Sequence, residues 1–169
     1  MQANLAIAFI ETSSIAKGIE ASDAVCKMAE VKLHKTAVIA RGKYIILLSG
    51  PVGEVESSLR AGLDIAGKTV IHSFIIRNVH QQVLNALDKR VQVEKLDAVG
   101  IIETKEAGPA FHAADAAAKA ASVTLLEVKT VAPGGKGWVT MTGEVGAVRS
   151  AVAAGIKVVP EGMLVSQVI

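Results

Sequence analysis

The side chains that could catalyse a reaction or hold a metal ion are few and widely separated in this sequence. The single cysteine excludes both an intrachain disulfide and a metal site built from cysteines of one chain. The sequence contains no nucleophile elbow, P-loop or dinucleotide-binding glycine motif. We therefore expect no enzyme activity, no cofactor and no metal site. The histidines also lack metal-ligand spacing; they are His34, His72, His80 and His112.

The single cysteine, Cys26, falls in a segment whose apolar residues recur at helical spacing. A helix over this segment would place Ile15, Ile19, Ser22, Cys26 and Ala29 on one face, which we expect to be buried. We interpret Cys26 as a small buried hydrophobe, and a reactive thiol is the alternative.

Acidic residues recur at a fixed distance along the chain. Glu11 and Glu103 are 92 residues apart, and so are Asp23 and Asp115. A catalytic pair would more often survive in one copy only, so we interpret these acids as repeated structural positions. After one inserted residue the offset becomes 93, and the matches continue in the same order to Gly62 and Gly155. The chain is a tandem duplication.

Each copy predicts the order strand, helix, strand, strand, helix, strand, an α+β arrangement of the ferredoxin-like type. The first domain is predicted over residues 1–92 and includes a short terminal helix at residues 79–87, followed by a charged linker at residues 88–97. The second domain is predicted over residues 93–169 and lacks that terminal helix. We expect the second helix to begin at residues 49–51, with Pro51 in its first turn.

Composition excludes several classes of protein. The net charge of +2 gives no electrostatic basis for binding nucleic acid. No uncharged run approaches the roughly 20 residues of a membrane-spanning helix. The first residues carry Glu11 within an apolar run and lack a basic segment, so we expect no signal peptide and a cytoplasmic protein.

The ordered motifs of both copies resemble the bacterial microcompartment (BMC) shell domain. No single motif is specific, but together they cover nearly the whole chain. In the second copy they lie at residues 98–104, 114–121, 143–148 and 151–155; in the first copy they lie at residues 11–12, 22–29, 50–55 and 75–80.

Two unpermuted copies are similar to the tandem-domain, trimer-forming subclass of that family. The resemblance implies a homotrimer, a flat pseudo-hexameric tile with a narrow central pore for small metabolites. It also implies that tiles meet other shell proteins edge to edge around encapsulated enzymes. A regulatory protein that binds a small effector with paired ferredoxin-like domains is the alternative, and oligomer size distinguishes the two.

By the same resemblance, the two hairpin turns line the pore, although ordinary turns would also need small residues. Arg41 and Gly134 would lie nearest the opening, where three guanidiniums attract anions. Some tandem members hold an iron–sulfur cluster on a cysteine of this turn; Ala40 stands at that position here, so we expect no cluster. The implied pore-lining residues are Ile39, Ala40, Arg41, Gly42, Ala132, Pro133, Gly134 and Gly135.

The resemblance also implies a tile-edge interface at three basic residues. Lys27 and Lys119 occupy the position of the family's edge lysine, and Arg77 that of an arginine near the same edge. Solvated helix lysines are the alternative interpretation. Because the second copy stops at Ile169, before any equivalent of Arg77, we expect the edge contact to alternate around the rim.

Overall fold

Each half of the chain folds into a four-stranded antiparallel sheet carrying two long helices. A computed structural model describes residues 5–87, 89–129 and 133–169. The chain divides into two compact units, Met1–Val79 and His80–Ile169. No helix in these described stretches is long and apolar enough to cross a membrane.

The first unit begins with a strand at the centre of its sheet. Strand order is β2-β3-β1-β4, and all neighbouring strands are antiparallel. Ser14 caps the first helix by accepting a hydrogen bond from the backbone N–H of Lys17. The elements are β1 (Leu5–Thr12), α1 (Ile15–Met28), β2 (Lys32–Ile39), β3 (Lys43–Pro51), α2 (Val52–Ala66) and β4 (Val70–Ile76).

The second unit repeats this topology after a short helix. Its strand order is β6-β7-β5-β8, again antiparallel throughout. The two sheets therefore confirm the predicted ferredoxin-like arrangement in both copies. The elements are α3 (Gln81–Asn85), β5 (Ala98–Thr104), α4 (Ala107–Ala120), β6 (Thr124–Lys129), β7 (Gly137–Gly143), α5 (Val145–Lys157) and β8 (Leu164–Val168).

The buried face of α1 is not the one that the sequence predicted. Gly18, Ala21 and Val25 are buried, whereas Ile19 is 55% exposed and Cys26 is exposed. The helix lies so close to β3 that its inward face is built mainly from small residues, and the large side chains are on the outer face. The interpretation of Cys26 as a buried hydrophobe was therefore wrong.

The start of α2 also differs from the prediction. Pro51 ends β3 and precedes the helix, rather than lying in its first turn. Val55 is fully buried, while Val52, Leu59 and Leu63 are only partly buried against the core. The deepest positions of this helix face are small residues, since Gly62 packs against Val25 and Ile10 with no space for a Cβ atom.

In the second unit α4 is buried on nearly every side. The helical stripe of Ala107, Phe111, Ala114 and Ala118 is buried, and so are the residues beside it: Gly108, Pro109, Ala110, Ala113, Asp115 and Ala117. Ala121 ends the helix as its C-cap and is only partly buried.

The segment between the two sheets packs on the second unit. The side chain of Gln82 joins α3 to β6: its Nε2 donates to Val123 O at 3.0 Å, and its Oε1 accepts from Leu125 N at 2.8 Å. In the stretch predicted as a linker, the Val91 N–H donates to Leu126 O at 2.7 Å. Contacts thus group α3 with the second unit. The domain limits of 1–92 and 93–169 stay a prediction.

Candidate functional site

The β2–β3 turn holds an arginine in a backbone conformation that favours glycine. Residues Ala40–Gly42 form a tight turn, in which Arg41 has φ 65° and ψ 27° and Gly42 has φ 70°. A left-handed conformation costs a residue with a Cβ atom roughly 1–2 kcal/mol. Ala40, Arg41 and Gly42 are exposed and Ile39 is half-buried. The turn therefore presents a guanidinium to solvent at a conformational cost.

The β6–β7 turn adopts the same conformation without a charge. Gly134 has φ 78° and ψ 6°, and Gly135 has φ 82°. Gly134 is the equivalent of Arg41 and is also exposed. Ala132 and the side chain of Pro133 lie outside the described part of the chain. The two turns thus share a backbone conformation and differ in one guanidinium.

A lysine directly after each turn pairs with a glutamate of the central strand. Lys43 Nζ lies 2.8 Å from Glu11 Oε1, and Lys136 Nζ lies 2.7 Å from Glu103 Oε1. The glutamate and the lysine both recur in the two copies of the sequence. That recurrence could have indicated an ion pair, but none was predicted from the sequence. Each lysine charge is balanced by its glutamate partner. Among the described residues of the two turns, Arg41 is then the charged side chain without an ion pair to another described residue.

The predicted edge lysines form a second repeated pair, this time within a helix. Lys27 Nζ lies 2.6 Å from Asp23 Oδ2, and Lys119 Nζ lies 2.6 Å from Asp115 Oδ2. An aspartate four residues before a lysine also suits the helix dipole. The Lys27 side chain is 73% exposed and that of Lys119 is 45% exposed, so both remain accessible from solvent.

The third predicted edge residue, Arg77, is held by α2. Its Nε donates to Glu56 Oε1 at 2.6 Å, and the arginine side chain is 59% exposed. The residue of the second unit equivalent to Glu56 is Arg149, which is exposed. The first unit thus holds an arginine against its second helix, whereas the second unit has an arginine on that helix itself.

The residues present do not suit the iron–sulfur cluster known in some tandem members. The side chain of Ala40 is a methyl group, which cannot ligate iron, and Cys26 lies on α1 rather than in the turn. Within the described residues, no group of three or more His, Cys, Asp or Glu side chains could hold a metal ion.

The histidines whose contacts are described serve the fold. His34 Nε2 lies 2.6 Å from Ser49 Oγ across the β2–β3 hairpin. His72 packs its ring against Phe9 and Phe74. His80 caps α3 by accepting from the Gln82 N–H at 3.3 Å.

Comparison with known proteins agrees with this geometry. The sequence profile of the BMC domain matches twice, at residues 6–79 and 98–169. The chain is 40% identical over 148 residues to the microcompartment shell protein PduT of Citrobacter freundii, covering 87% of this chain and 80% of that one. It is 36% identical over 91 residues to the carboxysome shell protein CsoS1A of Halothiobacillus neapolitanus, covering 52% of this chain and 93% of that one.

Two solved structures have the same fold. A microcompartment protein from Desulfitobacterium hafniense superposes with a TM-score of 0.93 at 44% identity, covering 98% of this chain and 93% of that one. The fused permuted hexameric shell protein MSM0275 superposes with a TM-score of 0.70 at 24% identity, covering 94% of this chain and 85% of that one. At that identity the second match is evidence of fold alone.

The chain belongs to the BMC-domain family. Within that family it is a shell protein with two BMC domains in tandem.

Proposed function

We propose that three copies of this chain form a flat, pseudo-hexameric tile whose central pore passes small anionic metabolites. The observation that carries this proposal is Arg41. Arg41 has a left-handed backbone conformation, and the equivalent residue of the second turn is Gly134. The chain therefore keeps a guanidinium at a position where glycine would be less strained. In a trimer, each turn would occur three times around the axis, lining the pore with Ile39–Gly42 and residues 132–135.

The charges near the turns support anions rather than cations as the transported species. Lys43 and Lys136 are paired with glutamates, so they add little to the field at the opening. Three Arg41 side chains around one opening would attract carboxylates and phosphates and repel cations. The preference should weaken as salt screens the charges.

Exposed apolar side chains support the association of copies. On α1, Ile15 is 37% exposed and Ile19 is 55% exposed, whereas Phe111, at the position of Ile19 on α4, is fully buried. Large apolar residues on an otherwise well-packed unit are typical of a surface that binds a protein. We propose that other copies of this chain cover this surface in the trimer.

At the rim we propose that Lys27, Lys119 and Arg77 contact neighbouring shell proteins. All three are exposed, and each is held in position by an acidic partner on its own unit. The tile would lie in a shell around encapsulated enzymes and have no catalytic role of its own. Its repeated domains would span residues 1–92 and 93–169.

Oligomer size is the first test. We expect light scattering to give the mass of a trimer in ordinary buffer, and electron microscopy to show sheets at higher concentration. A monomer or dimer that binds a small effector would contradict the proposal and favour a regulatory protein.

Transport is tested with variants of Arg41 in trimers held in a supported layer. We expect higher flux of a small anion than of a matched cation, loss of most of that preference in Arg41→Ala and Arg41→Gly, and reversal in Arg41→Glu. Arg41→Gly is the better neutral variant because glycine adopts the observed φ without strain. Arg90→Glu, an equal charge change at an exposed position outside the turns, is the control. Equal flux of both solutes in the unmodified protein would contradict the role of Arg41.

A further inference from the structure

A groove between the two helices of the first unit has an apolar floor and a charged residue on each side. Its cavity volume is about 400 Å³. Met28 is 55% exposed and Ile65 is 37% exposed, so the floor is open to solvent. The lining residues are Ala24, Lys27 and Met28 of α1 and Ala61, Asp64 and Ile65 of α2.

The two charged residues of this groove differ in what they already bind. Lys27 is paired with Asp23 on its own helix. Asp64 is exposed and makes no ion pair with any residue that the structure describes. An available carboxylate beside an apolar floor suits a lysine, whose methylene stem covers apolar surface while its ammonium group reaches the acid.

In the second unit the equivalent surface has a lysine in place of the aspartate. Lys27 is matched by Lys119, and Asp64 is matched by Lys157, which is exposed and unpaired among the described residues. The remaining positions keep their apolar character: Ala24, Met28, Ala61 and Ile65 are matched by Ala116, Ala120, Ala154 and Val158. The equivalent surface of the second unit therefore carries two lysines and can supply a lysine but not receive one.

We propose that the α1–α2 groove of the first unit receives Lys157 from the second unit of another copy of this chain. This inference rests on the proposed tile, because it assigns which rim surfaces meet when two tiles join. First-unit edges then pair with second-unit edges, since two second-unit edges would bring two Lys157 ammonium groups together and two first-unit edges would bring two Asp64 carboxylates together, and neither group is paired with a described residue. Each trimer has three edges of each kind, so alternation around the rim satisfies all six.

The test exchanges the two charges. Asp64→Lys makes the first groove like the second, and Lys157→Asp does the reverse. We expect each single variant to remain trimeric by light scattering but to need a protein concentration about fivefold or more higher to form sheets at low salt. The double variant reverses the contact instead of removing it, so we expect it to form sheets near the concentration of the unmodified protein.

Two controls carry the same charge changes on exposed residues outside the groove, Glu94→Lys and Lys89→Asp. We expect both to form sheets as the unmodified protein does. The inference is overturned if the single variants form sheets normally, or if the double variant is no better than either single one. If the unmodified chain forms no trimer or no sheets, the proposed function fails and this contact fails with it.

Discussion

In both units the first long helix packs closely against the strand that follows the hairpin turn. The first unit has a tyrosine at this contact, whereas the second unit has only small residues. In the first unit Tyr44 of β3 faces Gly18 of α1, and a Cβ atom on Gly18 would lie 2.7 Å from Tyr44 Cβ. In the second unit the equivalent pair is Gly137 of β7 and Ala110 of α4, and a Cβ atom on Gly137 would lie 2.7 Å from Ala110 Cβ. Each helix approaches its strand so closely that one member of the pair is glycine. The fold of the duplicated domain thus constrains the pair and not either residue alone.

The environment of the repeated Asp–Lys pair also differs between the units. Asp23 has a side chain that is 61% exposed, and the ion pair with Lys27 is its described contact. Asp115 has a side chain that is only 11% exposed and also accepts a hydrogen bond from the His80 N–H at 2.8 Å. Equivalent aspartates therefore differ in role: Asp23 is a surface residue, whereas Asp115 also binds the backbone directly before α3.

The largest effect is expected from breaking the Gly18–Tyr44 pair. Gly18→Ala should destabilise by about 1–3 kcal/mol through overpacking, and Tyr44→Gly by about 3–5 kcal/mol or more through loss of the ring. The double variant should cost about as much as Tyr44→Gly alone, because the clash at residue 18 disappears with the side chain. Urea unfolding of the four proteins measures this coupling.

Tyr44→Ala is the matched control for that cycle, since it removes the ring but keeps the Cβ atom that an alanine introduced at residue 18 would meet. Coupling with Gly18→Ala should therefore be smaller in this background than in the Tyr44→Gly background. Strict additivity in both backgrounds would contradict the packing argument.

A smaller difference is expected between the two aspartates. Asp115→Ala leaves the partly buried His80 N–H without its acceptor, which costs about 1–3 kcal/mol. Asp23→Ala removes an exposed pair and should cost less than about 1 kcal/mol. Hydrogen exchange of the His80 amide should increase in Asp115→Ala and stay unchanged in Asp23→Ala. Equal destabilisation by the two substitutions would contradict the contrast between the units.

The smallest difference is expected between the two glutamates beside the turns. The Glu11 side chain is 8% exposed and that of Glu103 is 31% exposed. Glu11→Gln should therefore cost about 1–2 kcal/mol, and Glu103→Gln under about 1 kcal/mol. Thermal unfolding at low and high salt measures both: only the Glu103 pair should weaken clearly as salt rises. The reverse order of salt sensitivity would show that burial does not separate the two pairs.

The strands and turns could be predicted from the sequence because local residues determine them. Apolar β-formers bounded by polar or glycine-containing turns recur in both copies, and together with the repeat they predicted the order of the strands and helices. The inward face of α1 could not be predicted by looking for large apolar residues. Small residues line that face because the ring of Tyr44 fills the space between the helix and the sheet, and Tyr44 lies on a strand distant in sequence.

The positions of the two turns could be predicted from the sequence, but their electrostatics could not. The repeat and the family motifs pointed to both turns and to Lys27 and Lys119, whose roles at a pore and at a tile edge stay predictions. The left-handed conformation of Arg41 depends on the tight turn between β2 and β3, and the neutralisation of Lys43 depends on Glu11, which the β1–β3 register brings beside it. The hydrogen bond between Val91 and β6 could not be predicted, because the charged composition around Val91 is typical of a linker.

The two turns have similar backbone conformations, so a side chain engineered into one can be moved to the equivalent position of the other. Gly134 already has the φ that Arg41 adopts, so an arginine can be introduced at residue 134, or removed from residue 41, without redesigning the path of the chain. In the proposed trimer this sets the number of guanidiniums at the opening to none, three or six. A duplicated domain thus separates a pore's shape, which both copies share, from its charge, which each copy can carry independently.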